Sequence, residues 1–221
     1  MKKQAGFTLV EIAIVLVIIG LLLGGVLKGQ ELINSAKVKN FANDFRQIPL
    51  FIYGYQDKFK ALPGDDAGVT GAAAGRFGTS GTPCTPASAT CATGNGAING
   101  NYNASSVASE SFVFWQHVRL AGLVAGSTDT GDTTYRPRNA DGGLIGIQST
   151  APITEMTGSY FVCSEGIQGK FAKQLDVTMD DGNTATGSMR VASGTYGGTA
   201  LDPVATASIV DGTPYIVCLA F

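Results

Sequence analysis

Met1-Lys-Lys-Gln-Ala-Gly6-Phe7-Thr-Leu-Val-Glu11-Ile-Ala-Ile-Val-Leu-Val-Ile-Ile-Gly20-Leu-Leu-Leu-Gly-Gly-Val-Leu27 opens the chain, and its reading fixes the rest. Two lysines lead to Gly6, and from Phe7 to Leu27 the run is almost wholly apolar, broken by one carboxylate, Glu11. As a helix, residues 7–27 would be about 31 Å long at roughly 1.5 Å per residue. That matches a bilayer hydrocarbon core of about 30 Å. A core helix is rarely apolar on every side. A secretory signal has a shorter apolar stretch with its small-residue cut site after it, whereas bulky Val26 and Leu27 end this one. A plain anchor leaves Glu11 unexplained, because an ionisable side chain inside a span is costly and is read as functional by default.

Gly6-Phe7-Thr8-Leu9-Val10-Glu11, behind a short basic leader and ahead of an apolar helix, resembles the type III signal of type IV pilins and type II secretion pseudopilins. The resemblance is sharp over residues 1–30 and weaker beyond. It implies that a prepilin peptidase cuts between Gly6 and Phe7 at the cytoplasmic face, that Phe7 is then methylated, and that the helix is retained. It also implies that Glu11 of one subunit meets the N-terminus of its neighbour and sets the register of assembly. The physical chemistry agrees: a cut before Phe7 creates an ammonium at the start of an apolar helix. That cation and the Glu11 carboxylate are each expensive alone in lipid and offset one another when paired. Lys2 and Lys3 place the N-terminus in the cytoplasm by the positive-inside rule. The head is then periplasmic in a bacterial inner membrane, and later sits on a cell-surface pilus or in a periplasmic pseudopilus.

The organisation expected along the 221 residues is a leader at 1–6, a transmembrane and assembly helix at 7–27, its continuation at 28–62, and a globular head at 63–221. In the continuation, Phe41, Phe45, Ile48, Ile52, Tyr55 and Phe59 make an apolar stripe at helical spacing. Residues 45–59 are assigned to packing on the head, and Leu32 to Phe41 to helices of neighbouring subunits. Pro49 should kink the helix, and Leu62-Pro63-Gly64 should stop it. Related pilins often carry a proline after the membrane stretch where this chain has Lys28. Gly20, Gly24, Gly25 and Gly29 are then the expected source of flexibility.

Residues 64–106, rich in Gly, Ala, Thr, Ser and Asn, read as a long surface loop with little structure of its own. Glu110 to Leu123 reads as an amphipathic helix, Ser109 its cap and Phe112, Trp115, Leu120 and Leu123 its core face. Short alternating runs at 144–148, 159–164, 187–193 and 214–220 suggest antiparallel strands, while Phe171 to Met179 fits either helix or strand. The fold class is α+β: a long N-terminal membrane-spanning helix packed on a small antiparallel sheet, as in pilins. Ala61-Leu-Pro-Gly-Asp65 and Asp180-Asp-Gly182 also resemble pieces of uncharacterised pilin-like proteins, much less specifically.

Four cysteines outside the span fit an oxidising destination and permit three pairings. Cys84–Cys91 closes a small loop, which leaves Cys163–Cys218; the latter resembles the C-terminal disulfide loop of type IV pilins. On the chain-entropy view the long loop contributes roughly 4 kcal/mol and the short one about 2.5 kcal/mol. No C-x-x-C or Cys/His spacing suggests a metal. Asp176, Asp180, Asp181 and Asn183 offer oxygen ligands for calcium, but a solvated turn at Asp181-Gly182 is the preferred reading. No metal or other cofactor is therefore expected. Asn103-Ala-Ser105 is a glycosylation sequon by pattern alone.

No nucleophile elbow or phosphate loop occurs, and the single histidine, His117, lies on the presumed packing helix, so no enzymatic activity is expected. A net charge of −2 with scattered signs argues against nucleic acid as a partner. The partners expected are copies of the chain or other pilins and pseudopilins, the prepilin peptidase, the inner-membrane assembly machinery and the membrane. The function implied is a structural subunit of a type IV pilus or related filament. The alternatives are a minor pseudopilin of a type II secretion system and a membrane-tethered binding or adhesion module that never polymerises.

Overall fold

The computed structural model describes residues 8–84, 91–92 and 94–221. The chain divides into two compact units, Met1–Lys39 and Asn40–Phe221. Its longest element is helix α1, Leu9–Phe59, which runs from the first unit into the second. The fold class is α+β: a long apolar N-terminal helix and a small four-stranded antiparallel sheet.

The first unit is helical from Leu9 and passes through Gly20, Gly24, Gly25 and Gly29 without a break. Lys28 pairs with Glu31 at 2.6 Å on the exposed surface. Such a pair contributes only about 0.5 kcal/mol.

In the second unit α1 buries the stripe that its spacing predicts. Phe41, Phe45, Ile48, Ile52 and Tyr55 are all 2 % exposed or less, and Phe59 is half-buried. Phe41 departs from its expected role at a subunit contact: its ring lies 6.0 Å from that of Phe171 within the same unit. Leu32 and Ile33, further upstream, are exposed. Pro49 lies inside the helix without ending it. The stop comes at Lys60, whose φ of +55° leaves the helical region, earlier than the Leu62-Pro63-Gly64 element expected to supply it.

Four strands follow: β1 Ile145–Gln148, β2 Phe161–Gln168, β3 Met189–Ala192 and β4 Pro214–Ala220. They lie in the order β1-β2-β4-β3, every neighbouring pair antiparallel. The period-2 pattern puts Phe161, Cys163, Ile216 and Cys218 on one face. There they pack with Tyr102, Ile153, Met156, Ala192 and Tyr196. Val162, Met189, Val191, Val217 and Leu219 alternate with them and are buried too. Between Ser164 and Ile167 the β2–β4 register slips, and Gly166 takes φ +72° there, a conformation glycine adopts without steric cost.

The ambiguous segment is a helix, α3 Gly169–Met179. Its buried Phe171, Ala172, Leu175 and Asp176 recur at helical rather than strand spacing. Helix α2, Glu110–Leu120, differs from expectation in two ways. It is buried along Glu110–Val118 instead of on one face, while Leu120 and Leu123 are only half-buried. Ser109 holds the N-cap position, but its hydroxyl makes no capping bond and instead donates to the Asn99 carbonyl at 3.4 Å.

Among its described residues the segment 64–106 is irregular apart from a turn of 3-10 helix at Gly78–Ser80, but they do not lie loosely over the surface. Leu62, Asp65, Asp66, Val69, Ile98 and Tyr102 are buried. The Asp65 carboxylate accepts from the amides of Gly94, Asn95 and Gly96, gathering distant chain onto one side chain. Asp66 accepts from the Tyr55 hydroxyl at 2.7 Å and from the Gly68 amide, and pairs with Arg76 at 2.5 Å. Buried carboxylates held by several donors stand in here for a regular element. Gly64 has φ +92°, and a Cβ there would run 2.5 Å from the Glu110 carbonyl oxygen, so only glycine fits.

The cysteines pair as Cys84–Cys91 and Cys163–Cys218. Cys163 and Cys218 are direct partners in the β2–β4 register, with Cα atoms 4.1 Å apart.

Candidate assembly site at the helix N-terminus

Gly6 and Phe7 lie outside the described residues, so the geometry of the site begins at Thr8. Thr8 and Glu11 form a reciprocal capping box at the start of α1. The Thr8 amide donates to Glu11 Oε2 at 2.8 Å and its hydroxyl to the same oxygen at 2.7 Å. In return the Glu11 amide donates to the Thr8 hydroxyl at 3.3 Å. Both Thr8 donors use Oε2, and among the described residues no donor reaches Oε1. The carboxylate is thus held one turn into the helix, near the positive end of its dipole. Thr8 is the functional residue that the sequence reading missed. Its signal was present, since Thr8-Leu-Val-Glu11 has capping-box spacing.

Within and beyond the box, Leu9, Val10, Leu16, Val17, Leu21, Leu22 and Leu27 are all exposed. Among the described residues α1 is the one helix long and apolar enough to cross a membrane. An apolar surface of this extent on every side of a helix is stable only in lipid or against other apolar helices.

A family model, the prokaryotic N-terminal methylation motif, matches residues 1–27. The N-terminus carries the type IV pilin and pseudopilin signature. No curated protein and no solved structure matches the chain. The signature covers the two lysines, Gly6, Phe7, the Thr8–Glu11 box and the apolar run. Together with α1 it fits a membrane-anchored protein of pilin type.

The remaining candidate residues fall elsewhere. His117 is 1 % exposed; its Nδ1 accepts from the Gly64 amide at 3.0 Å, and Nε2 lies 3.1 Å from the Thr82 carbonyl. Its ring stacks beside Tyr55. These partners assign the neutral Nε2–H tautomer, and His117 clips two loop segments to α2. Burial pushes its pKa down from about 6.5 to about 4. Between those values the unfolded chain binds a proton that the folded chain refuses, so this contribution to stability is whole above pH 6.5 and is lost as pH falls. We expect the difference in unfolding free energy between wild type and His117→Gln to shrink by about 3 kcal/mol from pH 7 to pH 4. Denaturant titrations across that range check it; parallel curves would count against the clip.

Asn103, the sequon residue, donates its side-chain nitrogen to the Tyr196 carbonyl at 3.0 Å, so a glycan there would displace a bond of the fold. Asp176, Asp180 and Asp181 converge, with one oxygen from each within 4.8 Å of the others. Burial first, then the charges of Asp181 and Asp180, push the Asp176 carboxyl up to about 7, against a smaller opposing pull from the Gly182 amide.

Proposed function

We propose that the chain is a structural subunit of a type IV pilus or a closely related filament, and not an enzyme. The observation that carries this reading is the N-terminal signature followed by an apolar helix exposed on all sides with one carboxylate near its start. The chain inserts with Lys2 and Lys3 in the cytoplasm, is cut between Gly6 and Phe7, and is methylated on Phe7. It then leaves the bilayer sideways into a fibre. Helices form the fibre core, and units like Asn40–Phe221 form its exterior.

In that fibre the α1 surface exchanges lipid for the α1 helices of other subunits, so its apolar area stays out of water throughout. The step that needs a chemical guide is register, and Glu11 supplies it. Both Thr8 donors use Oε2, so Oε1 can receive a neighbour's terminal ammonium without the carboxylate giving up its own helix cap. A disulfide across the central β2–β4 pair supports the pilus over the secretion pseudopilus. It ties the last strand into the sheet, where tension along a fibre would otherwise peel it away.

The test is the mass of the chain produced in a bacterial membrane with and without a prepilin peptidase. With the peptidase, loss of residues 1–6 and gain of one methyl group are expected, and Gly6→Ala should block the cut. An unchanged full-length mass in both strains would overturn the proposal.

A further inference from the structure

Asp176 is 0 % exposed, and both of its carboxylate oxygens are buried with no hydrogen-bond partner. A buried carboxylate ordinarily collects several donors, as Asp65 and Asp66 do in this same unit. Asp176 instead faces two more carboxylates. Asp180 caps the end of α3, and its Oδ2 accepts from the Met189 amide at 2.7 Å, at the first residue of β3. Asp181 accepts from the Asn183 amide at 2.8 Å and from the Thr186 hydroxyl at 2.9 Å. Among the described residues no lysine or arginine forms an ion pair with any of the three. Arg190, the cation whose charge Asp181 feels, spends its Nη1 on the Thr154 carbonyl and on Glu155.

We propose that Asp176, Asp180 and Asp181 form a calcium site that ties the C-terminal end of α3 to the start of β3. Three oxygens within 4.8 Å of one another lie within the span that ligands of a single calcium ion cover, since calcium takes its oxygens at about 2.4 Å. The donor set is all oxygen and strongly anionic, which selects a hard cation over zinc or copper. Magnesium demands near-ideal octahedral geometry and sheds water reluctantly, so it suits a side chain buried like Asp176 poorly. Asp180 is half-buried and Asp181 exposed, which gives the ion an approach from solvent and leaves room for water to complete its shell. The spacing matches no dedicated loop because the end of α3 supplies it: Asp176 comes from the last turn of the helix, Asp180 from its C-cap, and Asp181 from the residue that follows. The solvated turn expected from Asp181-Gly182 describes Asp181 alone and leaves Asp176 no hydrogen bond, only the small pull of the Gly182 amide.

The experiment uses the full-length chain in detergent, stripped with a chelator and titrated with calcium chloride, magnesium chloride serving as comparator. Isothermal titration should find one calcium per chain. The melting temperature should rise by about 5–10 °C at a hundredfold excess over Kd, with a smaller response to magnesium. Asp176→Asn should abolish the response. Asp181→Asn, an exposed position where the amide oxygen can still accept from Asn183, should melt like wild type without calcium and lose at least tenfold in affinity. Two outcomes overturn the site: no calcium response in wild type, or a response undiminished in both variants. A chain unresponsive to calcium but stabilised by Asp176→Asn would show instead that the carboxylates share a proton.

Discussion

Glu11→Ala should leave a chain that inserts in the membrane at normal abundance, is processed, and no longer enters filaments, with filament yield falling at least tenfold. Two roles meet at this residue, and they separate cleanly. As the acceptor of the capping box, Glu11 secures the first turn of α1, and a cap contributes about 1 kcal/mol. Its loss frays one end of a helix that runs to Phe59 and does not unfold it. As the lone carboxylate of an apolar surface, Glu11 alone can meet a neighbour's terminal ammonium within the span. Insertion becomes easier without the charge, so a defect confined to assembly cannot be assigned to failed membrane entry. Thr8→Ala is the control. It removes the hydroxyl donor to Oε2 and the acceptor of the Glu11 amide, keeps the backbone donor of residue 8 and keeps the charge, so filaments should persist. Equal loss in the two variants would place the effect in the helix cap and not in pairing between subunits.

Removing the Cys163–Cys218 bridge should give the largest loss of stability in the second unit. Both residues are 0 % exposed, they sit opposite each other in the central strand pair, and their bond closes a loop of 55 residues. The double substitution Cys163→Ala with Cys218→Ala should cost about 4 kcal/mol and lower the melting temperature by roughly 10 °C. Opening Cys84–Cys91, separated by 7 residues, should cost less, about 2.5 kcal/mol on the same entropic view. Thermal melting of the two variants beside wild type decides the order. If the short loop proves the costlier to open, β4 is held by its ladder and side chains rather than by sulfur.

The parts of this fold legible in the sequence are those with a period. Alternation over 214–220 gave β4 its bounds, and the recurrence of Phe45, Ile48, Ile52 and Tyr55 gave the buried face of α1. What escaped has no period. The burial of Asp65 and Asp66 depends on donors up to 31 residues away, and a string of Gly, Asn and Ala carries no trace of the carboxylate that gathers it. Phe41 is indistinguishable by spacing from a residue at a subunit contact; the ring of Phe171, far along the chain, settles its place. The acid cluster looked like a solvated turn because Asp180-Asp-Gly reads locally, whereas its chemistry depends on how deeply α3 buries Asp176. The assembly site was legible through composition, a carboxylate being so rarely placed in an apolar run. Thr8 is hard to read from sequence because the three-residue spacing of the cap is embedded in the apolar run.

Zero-length coupling of carboxylates to amines in isolated filaments tests the pairing of Glu11 most directly. Filaments grown from mixed light and heavy nitrogen-labelled chains would be treated with an apolar carbodiimide and digested with trypsin. A Phe7–Lys28 peptide joined by its terminal nitrogen to Glu11 of a second copy, half of the products carrying one light and one heavy partner, is the expected result. Links confined to single copies, or none from filaments that remain intact, would contradict it.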